Sequence, residues 1–162
     1  MSLLSTMTTA EIAALSTSVM SGLTTGDIIG ISPEQMRALG AEQIQALSTG
    51  FVSGLTPLQL QMLTTDQVAA LLFPQIAVLN TVALRGLSTE AIVALTTEQA
   101  AALTSAQIAA LSTQQISAFE TADLAMLGAE ALRGLSATQM RALSTQQIAA
   151  LTLDQLNVLT AT

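Results

Sequence analysis

Large apolar side chains recur every eight residues along the whole chain. Steps of eight from Met7 meet twenty such positions, mostly Leu, without insertion or deletion as far as Leu159. A second apolar column follows five residues after the first, from Ile12 to Leu156. With the Leu column as position 1, the consensus octad is L-[S/T]-T-x-Q-[I/V/M]-x-[A/G]. A strict register of this kind is typical of a solenoid, in which every unit has nearly the same environment.

The spacing of these columns distinguishes among three structures. In one continuous helix the Leu stripe would rotate by roughly 80° per octad, so no face would be apolar. A β-solenoid would require alternating apolar positions and β-branched inward residues. Here the large apolar residues are five apart, and the other positions hold many good helix formers, such as Ala, Gln, Glu, Leu and Met. The pattern therefore favours a separate short helix in every octad, of about six or seven residues because the next cap follows the Leu at once.

Helix-start signals occur in the same register. Position 2 is Ser or Thr in most octads, and Gly40, Asn80 and Gly128 are also acceptable N-caps. Pro33 and Pro57 fall at position 3, the first helical residue, where a backbone N–H is not needed. The capping-box spacing S/T-x-x-E/Q occurs in Thr8/Glu11, Ser32/Gln35, Thr56/Gln59, Thr64/Gln67, Thr96/Gln99, Thr104/Gln107, Ser112/Gln115, Ser136/Gln139, Ser144/Gln147 and Thr152/Gln155.

Charged residues follow the same frame. All eleven acids lie at the predicted cap or in the first turn, and the four basic residues lie in the last turn, at Arg37, Arg85, Arg133 and Arg141. This segregation is what the helix dipole favours. Position 8 is mostly Ala or Gly, which would let adjacent backbones approach closely at each corner. A weaker 48-residue period relates residues 71–86 to 119–134, since both end in Ala-Leu-Arg-Gly, and six octads therefore form either a higher-order unit or a simple duplication.

Such short helices cannot fold alone, because two large side chains per octad do not offset the entropy of ordering eight residues. Their stability must come from stacking. The sequence thus predicts an all-α solenoid, a superhelical spiral of about twenty octads in which each octad is one short N-capped helix. We expect residues 1–162 to form a single octapeptide-repeat domain.

Composition argues against several classes of function. The chain has no His, Cys or Lys, so the commonest general base, metal ligands and activated nucleophiles are missing, and we predict no enzyme activity and no cofactor. The formal net charge of −7 argues against nucleic acid and anionic lipid as partners. The longest charge-free run, residues 43–65, contains Gln, Ser, Thr and a proline, so we expect no membrane insertion. No N-terminal signal peptide is evident.

Several sets of residues are candidates for binding sites. Neighbouring acids could bind Ca²⁺ if they converged, as Glu34 with Glu42 or Glu90 with Glu98, but helix dipoles also explain them. Capping explains the serines and the glutamine column, and Met residues suit gaps in the core. Exposed Ser/Thr rows could organise water or ice. The sequence therefore predicts no catalytic, cofactor-binding or metal-binding residue.

Residues 87–160, with LTTEQ, LTSAQIAAL, LSTQQI and LSTQQIAALT, resemble Ala/Thr/Gln-rich octad arrays within large bacterial surface and secreted proteins described as adhesin-like or hemolysin-like. The resemblance covers nearly the whole chain, since the same octad continues on the N-terminal side. It implies a bacterial origin and an exported, structural context, with secretion or the cell surface favoured over the cytoplasm. It carries over no functional residue.

These observations predict a structural or protein-interaction repeat module, such as a spacer or scaffold. One alternative is a self-assembling filament subunit, since the final octad is as apolar as an interior one and carries Leu153, Leu156 and Leu159. A protein partner or self-association through the terminal repeats would bury that surface. A second alternative is a water- or ice-organising protein that uses the Ser/Thr rows.

Overall fold

The computed structural model describes residues 3–160, and every element in that range is a helix. A 3₁₀ turn at Leu3–Thr6 comes first. Nineteen short α-helices follow: α1 Thr9–Ala13, α2 Thr17–Gly22, α3 Thr25–Ile28, α4 Pro33–Arg37, α5 Ala41–Ala46, α6 Thr49–Ser53, α7 Pro57–Gln61, α8 Thr65–Ala70, α9 Phe73–Val78, α10 Thr81–Leu84, α11 Thr89–Val93, α12 Thr97–Ala101, α13 Ser105–Ala110, α14 Thr113–Ser117, α15 Thr121–Met126, α16 Ala129–Leu132, α17 Ala137–Ala142, α18 Thr145–Ala149 and α19 Leu153–Thr160.

One helix per octad was predicted and is confirmed, but the predicted length of six or seven residues was wrong for most of them. The first eighteen α-helices have four to six residues, and only α19 has eight. The cause is tightening of the last turn. In the five-residue α12, Ala100 N–H donates to Thr96 O, four residues back, whereas Leu103 N–H donates to Ala100 O, only three back. Such 3₁₀ bonds end an α-helix before the Leu of the next octad.

The capping residues occupy the positions that the octad register gives them. In α13, Gln107 N–H donates to Thr104 Oγ1 at 3.3 Å, and Thr104 N–H donates to Gln107 Oε1 at 2.9 Å. The same reciprocal bonds form in all ten octads with the capping-box spacing. Gly40, Asn80 and Gly128 are also N-caps, and Pro33 and Pro57 begin their helices.

The helices stack in a continuous spiral. Each one contacts the helix three further along the chain, from α1 with α4 through to α16 with α19. Side chains near the start of a helix also reach the C-terminal end of the fourth helix before it, as from α13 to α9. One superhelical turn therefore comprises between three and four octads. Positions 1 and 6 fill the interior, where Ile12, Ile44, Ile76 and Ile108 are at most 1% exposed.

Two glycines at position 8 lie directly against the preceding turn. A Cβ atom on Gly86 would overlap the carbonyl oxygen of Pro57, and one on Gly134 would overlap that of Ser105. Both glycines end the Ala-Leu-Arg-Gly motifs, so the 48-residue period has a structural counterpart at these corners. The predicted close approach is thus confirmed here. It does not extend to every corner, because Gly22 has no such neighbour within 4 Å.

Candidate functional site

The glutamines at position 5 form an internal ladder between successive turns. Capping alone would leave them at the surface, yet these eleven side chains are between 2% and 7% exposed: Gln35, Gln43, Gln59, Gln67, Gln75, Gln99, Gln107, Gln115, Gln139, Gln147 and Gln155. The interpretation from sequence, that the capping box accounts for this column, was therefore incomplete. We refer to these residues as the glutamine ladder.

Gln107 shows what each ladder residue does. Its Oε1 accepts the N–H of Thr104 at 2.9 Å, which satisfies a free donor at the start of α13. Its Nε2 donates to the carbonyl oxygens of Ile76 and Leu79, both at 2.9 Å, at the end of α9. One amide thus pairs donors and acceptors that two helix termini would otherwise leave unsatisfied.

Every ladder residue donates to the carbonyl 28 residues earlier, from Gln35 onto Met7 to Gln155 onto Leu127. A glutamate could serve the capping box equally well, but it has no N–H to donate. The preference for Gln over Glu at position 5 was therefore the sequence signal for inter-turn bonding.

Where position 5 holds another residue, the N-cap can take over the bond to the preceding turn. Asn80 precedes Ala83, and its Nδ2 donates to Ser53 O at 3.0 Å and Leu55 O at 2.9 Å. Ser48 precedes a Phe at position 5, and its hydroxyl donates to the carbonyl of Leu23 at 2.8 Å. The acceptors at a helix end are thus satisfied by different side chains in different octads.

Asp123 interrupts the ladder in α15. Its side chain is 2% exposed, and its Oδ2 has no hydrogen-bond partner. By the ladder spacing it lies over the carbonyls of Leu95 and Ile92, and a carboxylate cannot donate to either. Burial, assisted by the negative charge of Glu120, raises the pKa of Asp123 to about 6.

The two ends of the spiral differ chemically. In the first octads position 5 is held by Glu11, Val19 and Asp27, of which Glu11 is exposed and Val19 is 41% exposed. The carboxylates of Glu11 and Asp27 accept the N–H groups of Thr8 and Thr24, and these bonds lower the pKa of both acids. At the other end apolar side chains are uncovered, with Ile148, Leu153 and Leu156 exposed by 41%, 79% and 36%.

Two of the four acids considered for Ca²⁺, Glu34 and Glu90, interact with their own helix starts. The pKa of Glu34 and that of Glu90 are lowered, because each carboxylate accepts its own backbone N–H and the hydroxyl of the preceding cap. Within residues 3–160, no group of three or more acidic side chains is placed to hold a metal ion.

None of the helices in that range combines the length and the hydropathy needed to cross a bilayer.

Two segments of the chain, residues 74–105 and 116–153, match the ALTTAQ repeat. The chain is a repeat protein. The letters of ALTTAQ correspond to position 8 followed by positions 1 to 5 of the octad, and residues 94–99 have the sequence ALTTEQ. The last letter of the ALTTAQ motif is thus the ladder glutamine. Comparison with curated proteins and with solved structures gave no match.

Proposed function

We propose that this chain is a structural and protein-interaction module, a spacer or scaffold within a bacterial surface or secreted protein, and that it has no enzyme activity. The observation that carries the proposal is the glutamine ladder. It links successive turns from Gln35 to Gln155. The octads therefore form one continuous stack, and the glutamine amides that connect its turns are buried. A helical repeat of this kind is built to hold a length and present a surface, and it is not typical of enzymes.

The exported context is supported by the resemblance to octad arrays of bacterial surface and secreted proteins. Contacts with other proteins are supported by apolar side chains on the outer surface. Leu58 lies on α7 and Val82 lies on α10, which stack on each other, and both side chains are more than half exposed, at 57% and 59%. Phe73 is 59% exposed at the start of α9. Exposed apolar side chains on stacked helices, as on α7 and α10, support a contact with a partner at this surface.

Rigidity is the property that a spacer requires, and it can be measured directly. The chain has no cysteine, so Thr9→Cys and Asp154→Cys place two spin labels at exposed positions near the two ends. Pulsed electron–electron double resonance should give one narrow distribution of the distance between the two labels, because every intervening turn is bonded to the next. The same labels in concentrated guanidinium chloride supply the broad reference. A comparably broad distribution in buffer would contradict the spacer function.

The filament alternative draws on the exposed apolar side chains of Ile148, Leu153 and Leu156 at the C-terminal end. The ice alternative draws on the Ser/Thr rows, but hydroxyls at position 2, such as that of Thr104, accept backbone N–H groups and are directed into the helix start. The spacer proposal has the broader support, because it uses the ladder along the whole spiral.

A further inference from the structure

The interior gaps in the glutamine ladder differ in charge. Position 5 is Ala in α11 and α16, at Ala91 and Ala131, and these residues remove a donor without adding a charge. Asp123 in α15 is different, because within residues 3–160 it is the only acidic side chain that is buried. Its Oδ2 has no hydrogen-bond partner. Burying a carboxylate without a donor or a cation is strongly unfavourable, so this gap requires a positive charge.

Backbone carbonyls of the preceding turn face the same gap. One octad before Asp123, Gln115 donates to the carbonyl oxygens of Leu84 and Leu87, which lie 31 and 28 residues earlier. The same spacing places the carboxylate of Asp123 over the carbonyls of Ile92 and Leu95. Within residues 3–160, the carbonyl of Leu95 accepts no backbone N–H. Acceptors therefore converge here from two turns, and no side chain supplies a donor between them.

The shorter side chain of Asp123 leaves room for an ion between these acceptors. The amide nitrogen of Gln115 lies 2.9 Å and 2.8 Å from its two carbonyl oxygens. Aspartate is one methylene shorter, which withdraws its carboxylate by about one carbon–carbon bond, roughly 1.5 Å. The separation of carboxylate and carbonyl oxygens then becomes roughly 4 to 4.5 Å. A cation with oxygen ligands at roughly 2.4 Å, as for an ion of the size of Ca²⁺ or Na⁺, bridges that separation.

The protein supplies no cation of its own at this place. The helix α15 stacks on α12 and α18, and Asp123 lies over the end of α11. None of these four helices has a basic residue, whereas Glu90 and Glu98 lie on α11 and α12 and Glu120 is the N-cap of α15. All three glutamates are exposed and keep their hydration, so a single buried negative charge has to be balanced. This favours a monovalent ion, since Ca²⁺ would leave a buried positive charge and takes six to eight oxygen ligands.

We propose that Asp123 binds a sodium ion together with the carbonyl oxygens of Ile92 and Leu95, and that this ion takes the place of the ladder amide between α15 and the preceding turn. The site goes beyond the spacer function, because it makes the stability of this part of the spiral depend on a solute. It also departs from the sequence-based prediction of no metal-binding residue. Two of its three ligands are backbone groups of another turn, and such groups leave no mark in the sequence.

Thermal unfolding of the full chain, followed by circular dichroism, tests the site. The buffer is held at pH 8, where Asp123 is ionised because its pKa is about 6. Tetramethylammonium chloride is replaced stepwise by NaCl at constant ionic strength, so that only the size of the cation changes. The Tm of the wild type should rise by about 3 °C or more as Na⁺ reaches roughly tenfold its Kd. Replacement by KCl should give a smaller rise, because K⁺ is too large for the gap.

Three variants show whether Asp123 carries the response. Asp123→Asn keeps the shape of the side chain without its charge, and Asp123→Gln restores the ladder amide. The Tm of each should change by less than about 1 °C over the same exchange of cations. Asp66→Asn is the matched control, since it removes an exposed acid from α8 and should keep the full response of the wild type. Line widths of ²³Na in nuclear magnetic resonance should be broadened by the wild type and by Asp66→Asn, and less so by the two Asp123 variants.

Three outcomes would overturn the inference. A wild type whose Tm ignores Na⁺ has no such site, and an equal rise in the wild type and in Asp123→Asn is a general salt effect. A larger rise with CaCl₂ than with NaCl at the same ionic strength would replace the monovalent ion by a divalent one. If Asp123→Asn lost its helical circular dichroism, Asp123→Gln decides the question, because Gln fills this position in eleven other octads. The spin-label distances do not depend on these results, so a failure here is distinguishable from a failure of the spacer function.

Discussion

At the scale of single residues, the side chain at position 5 depends on whether it contacts backbone carbonyls of the preceding turn. Glu11 is exposed and bonds within its own helix start, whereas Gln107 is buried and lies over two carbonyls of the preceding turn. Both side chains accept an N–H from their own helix start. Only the amide can also donate, so Gln and Glu are not equivalent in the interior.

Replacing Gln107 by Glu tests this difference with a side chain of the same shape. The variant keeps the cap but loses two donated bonds and brings a carboxylate against two carbonyl oxygens. Its free energy of unfolding should fall by about 2 to 4 kcal/mol, as measured by chemical denaturation at neutral pH. Glu11→Gln is the matched control and should shift that free energy by less than about 0.5 kcal/mol. Equal effects of the two substitutions would contradict the ladder.

Asp123 supplies the converse experiment, in which a ladder residue is restored. Asp123→Gln should raise the free energy of unfolding at pH 7 by about 1 to 3 kcal/mol, because the amide can donate to the carbonyls of Leu95 and Ile92 and no buried charge remains. The gain should depend on pH. The folded pKa of Asp123, about 6, lies above the ordinary value of 3.8, so the wild type gains stability as its carboxyl is protonated between pH 6 and 4.

The advantage of the variant should therefore shrink from pH 7 to pH 4. Chemical denaturation of both proteins at the two pH values measures this difference directly. An advantage that stays constant with pH would show that Asp123 is not the titrating group.

At the scale of the element, sequence predicted the existence and the start of each helix but not its end. Ser or Thr followed by Gln marks a start chemically, as at Thr104 and Gln107, and these bonds are local. The end depends on the three-residue bonds that form as the chain turns a corner. The hydrogen bonds from Gln107 to the carbonyls of Ile76 and Leu79 could not be predicted from sequence either, because they depend on the number of octads in one superhelical turn. That number follows from packing between turns, which no single octad encodes.

The corners can be tested at glycine. Gly86 is close to the carbonyl of Pro57, and among the described residues no glycine has positive φ, so the constraint is steric. Gly86→Ala should lower the free energy of unfolding by about 2 kcal/mol or more, because one of the two turns must shift. Gly22→Ala is the control, since its added methyl meets open space and should stabilise by about 0.5 kcal/mol. Thermal unfolding of the pair measures both, and a harmless Gly86→Ala would contradict the close packing of this corner.

At the scale of the whole molecule, stability is shared between neighbouring turns, so the spiral should tolerate a change of length that keeps the octad register. Deleting residues 87–134 removes 48 residues and joins Gly86 to Leu135, which reproduces the native junction of an Ala-Leu-Arg-Gly motif with Leu. In the shortened chain, Gln139 would face the carbonyls of Leu60 and Leu63, at the native spacing of the ladder. A deletion of residues 87–130 is the control, because four extra residues then break the register.

Small-angle X-ray scattering on these chains tests most directly whether the protein is a continuous stack of octads. The register-keeping deletion should remain helical, and its maximum dimension should fall by roughly 30%, the share of the chain removed, because length is proportional to the number of repeats. The control deletion should be less stable and should give a broader, less compact scattering profile. An unfolded or aggregated register-keeping variant, or one whose maximum dimension matches that of the wild type, would contradict the account.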